Sequence, residues 1–208
     1  MKTSQNLIIV VLRGAKMHSS ELMSILDFLR DSEKLKNTIR SAWTSDGRPE
    51  SVAEHTWRLC LMSLIFENSF PDIDFSRLVK ICIIHDLGEA IGGDIPAPLQ
   101  ASIKDKSVQE RHNLLKLLES LPGPLQNSII ELWDEYELAA SPEAKIAKAL
   151  DKIETILQHN QGKNPEDFDY CFNLDYGKKY TGKNPLTAAL RKIIDCETKL
   201  RAQEIFQD

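Results

Sequence analysis

The chain has 208 residues, 42% of them hydrophobic and 27% charged, with a formal net charge of −5. That balance suits one globular domain of ordinary size and excludes a disordered chain. It also excludes a surface built to grip long nucleic acids, which are held by clustered Lys and Arg, while leaving room for a local pocket that takes one small anion.

Leu7 to Leu12 form the only membrane-like run, and it falls far short of the ~20 apolar residues that span a bilayer. Lys2 before this run gives it a faint signal-peptide look, but Arg13 and Lys16 close it early and no small-residue cleavage site follows. Residues 1–16 are therefore expected to be a dispensable extension, whether a strand, a short piece laid on the core or the product of an upstream translation start. The globular domain is expected over 17–208, beginning with the first amphipathic segment at Met17.

Leu22, Ile25, Leu26 and Leu29 make the stripe of a first helix, and a loop is expected from Trp43 to Pro49 with Asp46-Gly47 as its turn. Ser51 and Glu54 have the spacing of a capping box, so a helix starts there, puts His55 in about its first turn, and continues through Leu59, Met62 and Phe66. Asp74 caps a third helix buried along Leu78, Val79, Cys82 and Ile83, ending near His85-Asp86. Gly88, Gly92, Gly93, Pro96 and Pro98 then break the chain into short pieces. Two helices are expected at 104–120 and 124–138. Ser141-Pro142-Glu143 opens another, with Ile146, Leu150, Ile153 and Leu157 on one face and Asp151 beside it. Gly162 to Pro165 end that helix, and a last one runs from Pro185 to Glu204. Alternating strand patterns are nearly absent, so the fold class is all-α, a single irregular helical bundle.

Cys60, Cys82, Cys171 and Cys196 form no CxxC pair, so no disulfide framework is expected and a reducing cytoplasm fits. Trp57 and Trp133 are expected to pack, His18 and His159 to lie on the surface, and Lys36, Lys178 and Lys179 to be solvated. The run from Glu131 to Glu137 is expected to be an exposed acidic face.

Chemistry concentrates in the segment His85-Asp86-Leu-Gly-Glu89, at the end of a very apolar helix. A carboxylate there needs a compensating charge. Adjacent helical side chains point about 100° apart, so only a target lying between them can be shared. A divalent cation is such a target, and imidazole with carboxylate suits Mn, Fe, Co, Ni or Zn. Glu89, four residues after His85, comes near the same point on a continued helical turn. A His-Asp dipeptide alone is commonplace. His55 early in one amphipathic helix and Asp151 beside the apolar face of another raise its weight.

The order His, then His-Asp, then Asp in three separate helices resembles the HD superfamily of metal-dependent phosphohydrolases. Within it, Arg48-Pro-Glu-Ser-Val-Ala-Glu-His55, His85-Asp-Leu-Gly-Glu-Ala-Ile-Gly-Gly-Asp-Ile-Pro96, Glu131-Leu-Trp-Asp-Glu-Tyr-Glu137 and Ala144-Lys-Ile-Ala-Lys-Ala-Leu-Asp-Lys-Ile-Glu154 are similar to the 5′-deoxynucleotidase family, over roughly residues 20–200. The resemblance implies an all-α HD domain that hydrolyses deoxyribonucleoside 5′-monophosphates to deoxynucleoside and phosphate. It implies one divalent metal ion (Mn, Co, Fe, Ni, Zn or Mg) on His55, His85, Asp86 and Asp151. Glu89 takes the position of the family's catalytic acid, with Asp94 as a second catalytic candidate that orders water or holds the ribose hydroxyl. Asp94, Ile95, Pro96 and Ala97 match the substrate loop, and Arg40 the phosphate-orienting arginine. Trp43 is the candidate aromatic at the sugar, although its spacing from Arg40 departs from the form in which the two adjoin. His112 is a second departure, either a surface replacement or an extra polar group near the site. A homodimer is implied as well, with a small-molecule nucleotide as substrate, no long nucleic acid and no membrane.

The chemistry suits such a set. Phosphate monoesters hydrolyse extremely slowly unaided, and one metal both acidifies a bound water and neutralises a phosphate oxygen. Arg40 offers a planar fork for phosphate oxygens, and Glu89 either protonates the departing 5′-oxygen or positions the water. Two alternatives stay open: the same fold acting on a cyclic nucleotide, a triphosphate or an alarmone, and a non-catalytic HD interaction or metal-storage module.

Overall fold

The computed structural model describes residues 10–12, 15–100 and 105–204. Near the start, β1 (Val10–Leu12) pairs antiparallel with β2 (Ala15–Met17), Val10 opposite Met17, so β2 runs across the expected boundary between residues 16 and 17.

Helix α1 (Ser19–Ser32) forms where the apolar stripe predicts, but only half of that stripe is covered: Leu22 is half-buried and Ile25 packs on the core with Phe28, while Leu26 and Leu29 stay exposed. After a 3₁₀ turn at Glu33–Lys36, the expected loop from Trp43 to Pro49 is the connection of a hairpin whose strands, β3 (Ile39–Trp43) and β4 (Pro49–Ser51), were not expected. The turn between them holds as expected: Gly47 has φ +82°, a conformation that a Cβ disfavours.

Local capping chemistry then sets the helix starts. The capping box of Ser51 and Glu54 opens α2 (Val52–Ile65), Asp74 accepts from the Arg77 N–H at 3.0 Å to open α3 (Phe75–Ile84), and two short turns follow, α4 (Glu89–Gly92) and α5 (Ala97–Gln100). α6 (Lys106–Leu117) packs on α4, and Gly88 permits this, because a Cβ there would meet the Glu110 carbonyl oxygen at 2.6 Å. α7 (Gly123–Leu138) leads into α8 (Pro142–Gln161), opened by Ser141 Oγ accepting from the Ala144 N–H at 3.0 Å. The stretch beyond Gly162 carries two short helices that no apolar period announced, α9 (Tyr170–Asp175) and α10 (Lys178–Thr181), before α11 (Pro185–Glu204).

α8 is the axis of the bundle, in contact with β3, α2, α3, α7, α9, α10 and α11. One core gathers Leu59, Leu78, Ile81, Leu114, Leu118 and Leu150, and a smaller one sets Ile153 and Ile156 against Ile194 of α11. Yet α8 also buries Lys148, Asp151, Glu154, Thr155 and His159. At spacings of three and four these polar groups form a stripe along one side of the helix, and burying them requires partners. Among the described residues no helix is long and apolar enough to cross a membrane, and all four cysteines are free.

Candidate active site

Two imidazoles are held so that their remaining nitrogen lone pairs face inward. His55, in the first turn of α2, has its Nδ1 hydrogen-bonded to Glu154 Oε2. His85, just past α3, has its Nδ1 2.8 Å from the Cys82 carbonyl. A carboxylate and a carbonyl only accept, so in each ring Nδ1 carries the proton and Nε2 is left as an acceptor. Both Nε2 atoms are buried without a hydrogen-bond partner.

The groups they face are also acceptors. Asp86 Oδ2 lies 3.0 Å from His85 Nε2 and 3.9 Å from His55 Nε2, and Asp151 Oδ1 lies 3.3 Å from His55 Nε2. The donor atoms of His55, His85 and Asp86 fall within 4.8 Å of one another. Acceptors converging in a buried space repel one another unless a proton or a cation sits between them, so the donor set fits a divalent ion. The protein alone answers with a proton: burial and Arg40 lower the pKa of His55, but Glu154 and Asp151 outweigh them and raise it to about 9. Burial works against the ionised Asp151, yet Lys152 and the two imidazoles hold it well below the carboxylate range. Its other oxygen, Oδ2, accepts from Tyr136 Oη at 2.6 Å and lies 2.9 Å from Lys152 Nζ, which leaves Oδ1 for the centre.

Arg40 reaches this centre from β3. Its Nη2 donates to Thr155 Oγ1 at 3.0 Å, Nη1 is 3.8 Å from Asp86 Oδ2, and Nε is 3.5 Å from Glu50 Oε2. Glu89 opens α4 with its carboxyl pushed up to about 10, by burial first and then by Asp86 and Asp94, so it holds a proton at neutral pH. Burial, and next Asp86, raise Asp94 as well, against the pull of Arg40.

Two cavities adjoin the centre. One of about 490 Å³ is lined by His85, Asp86, Glu89 and Asp151 together with Lys106, Lys148 and Lys152. The other, about 280 Å³, is lined by Arg40, Trp43, Asp94, Ile95, Pro96 and Ala97, all six of the residues nominated for substrate. Arg40, Asp94 and Tyr176 belong to both.

Residues 32–190 match the HD domain family. The chain belongs to that family. It is 34% identical to the 5′-deoxynucleotidase HDDC2 of Bos taurus, over 74% of this chain and 75% of that protein, and 32% identical to the 5′-deoxynucleotidase hdd1 of Schizosaccharomyces pombe, over 82% and 81%. Among solved structures, its fold is similar to a predicted metal-dependent phosphohydrolase of Magnetospirillum magnetotacticum, with a TM-score of 0.72 and 24% identity over 86% of this chain and 96% of that one.

Several groups of this HD domain escape a reading of the sequence. Glu154, fully buried on α8, joins His55 to Arg58, whose Nε donates to its Oε1 at 2.7 Å. Glu50, His55 and Glu154 come close enough to be a second ligand group, but Glu154 is engaged by His55 and Arg58, and Glu50 faces Arg40, so these acids brace the site. Burial, and next Glu154, raise Glu50 to about 7. Tyr136 lies inside the run expected to be an exposed acidic face, which instead pairs its charges: Asp134 with Arg111 at 2.7 Å, Glu135 with Arg77, and Glu137 with Lys148 at 3.3 Å. His159 is buried rather than on the surface, with Nδ1 3.0 Å from Asn173 Oδ1, and burial lowers its pKa to about 4, so it is neutral. Trp57, expected to pack, is 65% exposed on the outer side of α2, whereas Trp133 is buried. His112 is exposed and lines neither cavity.

Proposed function

We propose that this HD domain, residues 17–208, is a metal-dependent phosphomonoesterase that hydrolyses deoxyribonucleoside 5′-monophosphates to deoxynucleoside and phosphate. The observation that carries this reading is the pair of buried, partnerless Nε2 lone pairs facing two carboxylates, with the half-buried Arg40 alongside. The names of the Bos taurus and Schizosaccharomyces pombe relatives support it.

His55, His85, Asp86 and Asp151 hold one divalent ion, and the two imidazoles favour Mn, Co, Fe, Ni or Zn over Mg. That ion supplies an acidified water and charge neutralisation at the phosphate. Arg40 turns its guanidinium to the phosphate oxygens and fixes their orientation. Glu89, protonated at neutral pH, donates to the departing 5′-oxygen. Asp94 stands where the two cavities meet and holds the sugar or an ordered water. The nucleoside extends along Trp43, Ile95, Pro96 and Ala97.

Longer phosphate chains fit less well. Around the larger cavity Lys106 is paired with Glu110 at 2.5 Å, Lys148 with Glu137 at 3.3 Å and Lys152 with Asp151 at 2.9 Å, so three of its four lysines are already engaged by carboxylates, and the fourth, Lys179, lies over the Tyr180 ring. The homodimer implied by the resemblance has a candidate surface in Trp57, Leu61 and Leu64, an exposed apolar stripe at helical spacing on α2. Free cysteines fit a reducing cytoplasm.

Phosphate release from a panel of deoxyribo- and ribonucleoside 5′-monophosphates, a triphosphate and a cyclic nucleotide, each with several divalent metals, tests the reading. Deoxyribonucleoside monophosphates are expected to be turned over best. Preference for ribose, or for the cyclic or triphosphate substrate, overturns the substrate claim.

Glu154→Gln tests the brace on His55. Replacing an outer partner of a metal-bound histidine lowers metal affinity about 10–100-fold, because the carboxylate that fixes the tautomer is gone. Competition against a chelator is expected to register that loss. Unchanged affinity would mean that Glu154 only neutralises Arg58.

A further inference from the structure

The smaller cavity ends in a wall for which the sequence offered no role, the stretch from Pro165 to Tyr176. Phe168 stands at its centre, half-buried, with ring contacts to Trp43 at 6.4 Å and to His159 and Tyr170 at 4.9 Å, inclined to them by 86°, 69° and 63°. Steep contacts on three sides leave the ring little freedom to turn. The backbone around it is fixed as well. Asn164 Nδ2 donates to the His159 carbonyl at 2.6 Å and to Tyr170 Oη at 2.8 Å. Arg191 of α11, itself buried, donates to the carbonyls of Asn173, Leu174 and Tyr176 at 2.6, 2.8 and 2.5 Å. Gly162 lets the end of α8 close on β3, where a Cβ would meet the Trp43 carbonyl oxygen at 2.2 Å.

We propose that this aromatic corner is the nucleobase subsite, with Phe168 as the ring on which the base packs. The inference rests on the nucleotidase reading above. A monophosphate anchored at Arg40 and Asp94, where the two cavities meet, sends its nucleoside either toward the lysine- and glutamate-lined cavity or toward this one. A planar, weakly polar base suits the second. The volume of about 280 Å³ is near the lower end of small-molecule pockets. A ring held in place before binding loses little freedom when the base arrives. The wall also predicts broad base tolerance. Stacking does not distinguish one base from another, and of the two carboxylates that flank Phe168 in this wall, Asp167 and Asp169, the second is occupied in capping α9, where its Oδ1 accepts from the Cys171 and Phe172 N–H groups at 2.9 and 3.2 Å.

The test compares the full chain with Phe168→Ala and with Phe168→Leu, which keeps apolar bulk and guards against simple unfolding. Binding of free deoxyadenosine is measured by calorimetry, and kcat/KM is measured for deoxyadenosine 5′-monophosphate and for the base-free 2-deoxyribose 5-phosphate. Deoxyadenosine is expected to bind roughly tenfold more weakly to both variants, and the preference for the nucleotide over the base-free substrate is expected to fall by a similar factor. The subsite is overturned if the wild-type chain does not bind deoxyadenosine, if the variants bind it equally well, or if both substrates lose activity in step. Absent turnover of either substrate alongside intact deoxyadenosine binding counts against the nucleotidase reading, and the binding arm still decides the subsite.

Discussion

Asp86→Ala and His85→Ala are each expected to abolish ion retention and turnover together. Asp86 Oδ2 lies 3.0 Å from His85 Nε2, 3.9 Å from His55 Nε2 and 3.8 Å from Arg40 Nη1, so this one oxygen links both imidazoles to the arginine proposed to bind phosphate. Without Asp86 the proposed ion site loses a charged ligand, and Arg40 keeps Glu50, at 3.5 Å, but loses the carboxylate that joins it to the imidazoles. Without His85 the inward lone pair next to Asp86 is gone. Metal content after dialysis is expected to fall from one ion per chain toward none. With the Lewis acid lost, several kcal/mol of transition-state stabilisation go with it, so kcat/KM is expected to drop about a thousandfold or more. Near-full activity in either variant would show that the four residues are not the metal site.

Glu89→Gln is expected to separate binding from rate. The amide keeps the shape of the side chain and does not disturb the four ligands, so metal content should remain at the wild-type level. What disappears is the proton that burial and the flanking Asp86 and Asp94 keep on the carboxyl. General acid catalysis contributes typically 10²–10⁴-fold, so kcat on a nucleotide should fall by roughly that factor. A nitrophenyl phosphate, whose leaving oxygen needs no proton, should lose much less. Equal losses on both substrates would assign Glu89 to positioning the water instead.

Where capping chemistry is local, the sequence reads directly into structure. Ser51 with Glu54, Asp74, and Ser141 with Pro142 all open the helices expected of them. The four residues proposed as ligands stood out for a related reason: an ionisable group at the edge of an apolar face is expensive, and it draws notice wherever the chain tolerates it. Burial is different, because it depends on what another element brings to a face. The period of α1 identified an apolar stripe but not that Leu26 and Leu29 would remain uncovered, and that of α2 did not say that Trp57 faces outward. Ile39–Trp43 shows no clean alternation, so no strand was expected there and Arg40 and Trp43 could not be placed on a common strand. Glu154, Tyr136 and His159 acquire their roles only once α8 meets α2, α7 and α9.

One rod, α8, carries Asp151 of the proposed ion site, Glu154 for the brace, Thr155 for Arg40 and His159 against Phe168. Any translation or rotation of this helix would disturb ion, arginine and pocket at once, so it is a poor place to adjust one without the others. The facing walls, β3, the α4–α5 turns and the stretch from Pro165 to Tyr176, attach separately to the bundle. Substrate range can drift through those walls while the reaction itself stays anchored to a part that cannot wander.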